Sequence, residues 1–191
     1  MIVAMRRICV FVFWTIACSS VAQAEELVSL LSPRPDMALK LLVLPADKPI
    51  VAVILFAGGH GAIGLSASAG GPSIGWGKNN FLVRTRGDFA RAGLMVAVVD
   101  APSDQSSNTG MLGDFRASKE HAQDIEAVVR YLKGRADVPA WLVGTSRGTE
   151  SAANAAIRVP GVAGLVLTSS LTRPNKNGVE VLAMKLEDIR V

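Results

Sequence analysis

Hydrophobic positions along the chain fall into two kinds of run, and their order predicts the architecture. Leu39 to Leu44 is nearly all aliphatic, Pro45-Ala46-Asp47-Lys48-Pro49 turns the chain, and Ile50 to Phe56 is a second apolar run of strand length. Continuous apolar runs, unlike alternating ones, belong to strands covered on both faces. Phe81, Leu82, Thr85 and Phe89 then recur at helical spacing up to Arg91, and Gly93 ends that helix before the strand Leu94 to Val99. A polar loop runs from Asp100 to about Ala117. The stripe Ala122, Ile125, Val128, Val129 and Leu132 follows, closed by Lys133-Gly134. A strand at Ala140 to Val143, a small-residue helix from about Thr149 to Arg158 and a strand at Gly164 to Thr168 complete the alternation. Ile189-Arg190-Val191 reads as the approach to one more strand.

Helix-length crossovers between buried strands predict an α/β fold: a three-layer α/β/α arrangement around a mostly parallel sheet. In such sheets the binding groups gather outside the carboxyl ends of the strands. Glycine concentrates at one of those ends. Gly58-Gly59-His60-Gly61 follows the run ending at Phe56, and Gly64, Gly70, Gly71, Gly75 and Gly77 continue to Asn79-Asn80. A long loop in a compact domain is more often a binding loop than idle connection. There is no internal repeat, and low-complexity sequence is confined to Gly61–Gly77.

Composition narrows the classes. Half of the 191 residues are apolar and only 19% are charged, which suits one core and excludes a disordered chain. The N-terminus has a basic segment ending Arg6-Arg7, an apolar run from Ile8 to Ala17, and the triplet Ala22-Gln23-Ala24 before Glu25-Glu26. That is the pattern of a secretory signal peptide over residues 1–24, so the expected product is exported to the periplasm or beyond, with residues 25–191 as its domain. The apolar run covers only about half of the roughly 20 residues a bilayer crossing needs. Ile16-Ala17-Cys18 invites lipidation instead, but Thr15 stands where an aliphatic residue is expected. Arg6 and Arg7 leave with the leader, so net charge falls from +4 to +2 and no nucleic-acid surface is implied. Cys9 and Cys18 leave too, so the mature chain offers no disulfide and no thiolate. His60 and His121 remain. With no His-x-x-x-His or His-Glu pair, neither a metal site nor a cofactor is expected.

The sharpest signal is Gly144-Thr145-Ser146-Arg147-Gly148, placed directly after a strand and directly before an Ala-rich helix. A serine in a tight strand-to-helix turn needs neighbours almost without side chains, so that strand and helix can pass close to the strained backbone. On these residues and the glycine loop, the chain from Leu39 to about Ser170 resembles the α/β-hydrolase fold superfamily. The resemblance implies that Ser146 is a nucleophile and that the backbone N–H of Arg147 is one oxyanion donor. The second donor comes from the loop after the third strand, here the N–H of Gly59 or of His60. Aimed amides stabilise the oxyanion of acyl transfer by about 3 kcal/mol each. The function implied is hydrolysis of carboxylic esters or related small acyl compounds, with Trp76 and Asp100 as candidates to line the substrate pocket.

An activated serine also needs a base and an acid behind it. The family's order is nucleophile, acid, histidine, yet no histidine follows Ser146. The expectation is a C-terminally truncated hydrolase domain, its acid and histidine lying beyond Val191. The alternative is a complete, catalytically silent exported protein that binds a small molecule or peptide in a hydrolase-like pocket. His60 in the loop is the nearer substitute base. His121 reads as a surface or packing histidine, Asp100 and Asp104 as loop caps, Trp141 as core, and Arg147 as a tie to an acid such as Asp100. Oligomeric state is not legible.

Overall fold

The computed structural model describes residues 24–173, 176–189 and 191. Residues 1–23, with both cysteines and all but the last residue of the segment 1–24 expected to be a signal peptide, lie outside them. Strand β1 (Glu26–Leu31) and β2 (Ala38–Leu44) form an antiparallel hairpin, followed by β3 (Ala52–Phe56) and a small separate hairpin, β4 (Leu65–Ser68) with β5 (Gly71–Ile74). Then come α1 (Phe81–Arg91), β6 (Met95–Val99), α2 (Lys119–Arg135), β7 (Ala140–Thr145), α3 (Gly148–Arg158) and β8 (Val162–Thr168). The main sheet has the order β1-β2-β6-β3-β7-β8. β6, β3, β7 and β8 run parallel, and β2 is antiparallel to β6.

Three layers form because each central strand is apolar on both faces. Leu41, Val43, Ile54, Phe56, Ala97 and Leu142 meet α2 and α3 on one side. Leu42, Val53, Leu55, Val96, Val98 and Val143 meet Leu82 and Val83 of α1 on the other. The expected stripe of α2 is buried along its length. β1 and the β4–β5 hairpin escape a periodicity reading, since Ser-Ala-Ser and Gly-Pro-Ser carry too little hydrophobicity to announce strands. Among the described residues no helix is long and apolar enough to cross a membrane.

Two expectations need correction. Trp141 is 38% exposed rather than core: it projects from β7 over Gly164 of the neighbouring strand, where any Cβ would strike the indole at 2.2 Å. The C-terminal residues form short 3-10 turns at Val181–Ala183 and Leu186–Asp188 that fold back on α3, and Ile189 packs against the α2–α3 core rather than entering a strand.

His121 packs, as one of its two readings had it. It is buried between Phe56 and Phe115, with ring centroids at 6.4 and 5.4 Å, and neither ring nitrogen has a hydrogen-bond partner among the described residues. Burial, reinforced by the charges of Arg116 and Arg34, depresses its pKa to about 3. An unfolded histidine titrates near 6.5, so between those values the unfolded chain binds the extra proton and the folded chain does not. Stability is therefore expected to fall as pH drops from about 6.5 toward 3, by up to about 5 kcal/mol from this residue. Urea unfolding across that range checks it. His121→Leu should flatten the slope by that amount, and an unchanged slope would contradict the assignment.

Candidate active site

The register of the sheet brings the glycine loop, Asp100 and the elbow to one edge. Phe56 lies beside Val99 and Gly144, and Thr145 beside Thr168, so the chain leaves β3, β6, β7 and β8 at the same end. At the end of β7, Ser146 adopts φ 51°, a left-handed conformation that costs a non-glycine residue about 1–3 kcal/mol. It is held there from both sides. Its N–H donates to the Thr168 carbonyl at 3.0 Å, and its own carbonyl accepts from Thr149 N–H at 3.0 Å and Thr149 Oγ1 at 2.5 Å. The flanking glycines are required by contact. A Cβ on Gly144 would lie 2.5 Å from the Gly148 carbonyl oxygen, and one on Gly148 would lie 2.1 Å from that of Phe56. Helix α3 starts immediately afterwards and directs its positive end at the turn.

The glycine loop arrives beside this serine. A Cβ on Gly58 would be 3.2 Å from Ser146 Cβ, so the loop and the half-buried serine are in van der Waals reach. Gly59 and Gly61 take φ of 64° and 81°. Among the described residues, the N–H groups of Gly58, Gly59 and His60 donate to no protein acceptor. They border a cleft of about 190 Å³ lined by residues 58–63 with Trp76, Gly77 and Asn80. The imidazole of His60 stacks on Trp76 at 3.5 Å between centroids, and its Nδ1 accepts from Ala62 N–H at 3.3 Å. Burial and the charge of Arg116 lower the His60 pKa, against the opposing charge of Asp100. Among the described residues neither histidine is hydrogen-bonded to Ser146.

Two buried charged groups hold the loop. Arg116, which no periodicity singled out, is 1% exposed. It donates from Nη1 to Ser151 Oγ at 2.7 Å and from Nη2 to the carbonyls of Ala57 and Gly59 at 3.0 and 3.2 Å. Desolvation lowers its pKa to about 10, which leaves it charged at neutrality, and the buried Glu150 supplies partial compensation. Asp100 takes the opposite polarity. Its carboxylate accepts from the N–H groups of Ile63, Leu65 and Ala101 at 2.6, 2.7 and 2.8 Å, with Gly64 at 3.4 Å. It therefore braces the loop from behind and does not line the cleft, which corrects its placement as a pocket residue. Asp100→Asn leaves the fold intact in shape but turns an amide NH₂ toward backbone donors. We expect a loss of about 2 kcal/mol in urea unfolding, and no change would contradict this bonding.

The remaining candidates sort cleanly. Trp76 is 58% exposed at the cleft wall, where a substrate could reach it. Asp104 stands outside the cleft and pairs with Arg34 of the β1–β2 turn, which also binds Asp124 of α2, so Arg34 ties the hairpin to both the loop after β6 and the helix. Arg147 reaches the carbonyl of Asn177, not Asp100. Among the described residues no cluster of three or more His, Cys, Asp or Glu could hold a metal ion.

No family model matches the sequence, and no curated protein matches it. Its fold is matched by solved structures. An α/β hydrolase, GrgF, from Penicillium sp. sh18 superposes with a TM-score of 0.57 at 16% identity, over 80% of this chain and 49% of that one. A lipase in its open form gives 0.56 at 19% identity, covering 79% and 46%. A highly thermostable carboxyl esterase from Bacillus coagulans, in complex with glycerol, gives 0.52 at 18%, covering 76% and 44%. The chain spans about half the length of these structures.

Proposed function

We propose that this α/β-hydrolase-fold chain carries the nucleophile half of an exported serine hydrolase acting on carboxylic esters or related small acyl substrates. The observation that supports it best is the meeting of a left-handed Ser146, at the start of α3, with a glycine loop in which the N–H groups of Gly58, Gly59 and His60 have no acceptor among the described residues. In this reading the Ser146 hydroxyl attacks the acyl carbon and the carbonyl oxygen becomes an oxyanion. The N–H of Arg147 and an amide of Gly58–His60 stabilise that charge, and Trp76 bounds the acyl or leaving group. Activation of the hydroxyl needs a base, and among the described residues neither histidine is bonded to it.

Exposure to a fluorophosphonate, followed by peptide mass spectrometry, tests the reading. The expected result is one adduct on the peptide that contains Ser146. An unlabelled Ser146 in the folded chain would favour the silent binding protein.

A further inference from the structure

We infer that Arg116 is a positioning residue that aims the amides of the glycine loop; this rests on the proposed oxyanion role of that loop. In a trans peptide the C=O of one residue and the N–H of the next point in opposite directions. Arg116 Nη2 holds the carbonyls of Ala57 and Gly59, so the N–H groups of Gly58 and His60 are turned away from the guanidinium. That selects Gly58 and His60, rather than Gly59, as the loop's aimed donors. Free rotation of either peptide would reverse its dipole and present a carbonyl oxygen to the oxyanion. A loop of four residues with three glycines has little intrinsic resistance to such a flip.

The arginine also joins the loop to the elbow. Its other terminal nitrogen binds Ser151 on α3, one turn beyond the helix start that follows Ser146. One planar cation thus fixes the distance between the two parts of the site. Gly61 is the counterpart that lets it lie flat: a Cβ there would be 2.3 Å from Nη2 and 2.5 Å from Met111 Cε. Lysine cannot replace this arrangement, because a single ammonium lacks the two-armed fork that reaches loop and helix together. Burial argues against a solvation role: a guanidinium with 1% exposure is retained in a core only where its bonds offset the loss of water.

The test uses the full chain and fluorophosphonate labelling of Ser146, read as a maximal rate and a half-saturating probe concentration. Arg116→Lys is expected to slow the maximal rate about 10- to 100-fold while the half-saturating concentration changes less than about threefold. Ser151→Ala, which removes one anchor and little volume, is expected to slow it less. In Arg116→Ala, added methylguanidinium is expected to restore part of the lost rate, a recovery that general destabilisation would not give. Thermal unfolding identifies which variants are folded; where the arginine variants do not fold, Ser151→Ala decides. Wild-type labelling rates in folded variants would overturn the positioning role while leaving Ser146 as nucleophile. Absence of label on Ser146 in the unaltered chain would overturn the underlying reading and this inference with it.

Discussion

In Ser146→Ala, the acetyl adduct that forms when the chain meets p-nitrophenyl acetate is expected to vanish, and release of nitrophenol is expected to fall at least about 100-fold. The change deletes only the hydroxyl oxygen. The turn, the α3 terminus and the glycine loop stay in place, because the left-handed residue at 146 is held by backbone bonds to Thr168 and Thr149. Those groups still polarise an ester, so a residual rate above that of water is part of the expectation. The unaltered chain should itself be slow, since among the described residues no histidine is bonded to the hydroxyl. Mass spectrometry after rapid quenching separates the two effects: loss of adduct reports the nucleophile, and residual nitrophenol release reports the oxyanion site. Persistence of the adduct in the alanine variant would place the chemistry on another residue.

Gly148→Ala is expected to be strongly destabilising at any pH. The new methyl would lie 2.1 Å from the carbonyl oxygen and 2.8 Å from the carbonyl carbon of Phe56, and 3.1 Å from the Ala57 carbonyl oxygen. None of these is a flexible side chain. Phe56 belongs to β3, which is hydrogen-bonded to β6 on one side and β7 on the other, so it cannot retreat without breaking a ladder. A loss of about 3 kcal/mol or more in urea unfolding is expected. Gly134→Ala serves as the contrast, because a Cβ there meets nothing within 4 Å inside helix α2. It should gain about 0.5–1 kcal/mol from helix propensity. Opposite signs for the two glycines would show that close approach, not glycine itself, fixes residue 148; a neutral Gly148→Ala would contradict the packing of elbow against β3.

The layer order and the elbow were legible because each rests on a local rule. Buried parallel strands are apolar on both faces, and a serine between glycines at a strand-to-helix junction satisfies a steric demand visible in five residues. What stayed hidden depends on contacts remote in sequence. Arg116 reads as a solvated charge in a polar loop; only folding brings it against carbonyls 57 and 59 residues away. Asp100 has two readings at its strand end, loop cap and pocket residue, and the structure has the cap: composition does not tell whether a strand-end acid meets substrate or braces the next loop. Trp141 misled for a related reason: an aromatic in a buried strand reads as core, whereas Gly164 opposite it gives the indole a partly exposed seat.

The most direct test of the central claim is a crystal structure of the chain with Ser146 phosphonylated. The account places the phosphoryl oxygen about 3 Å from the N–H of Arg147 and from an amide within Gly58–His60. A phosphoryl oxygen directed to solvent, with none of these amides in hydrogen-bonding range, would contradict it.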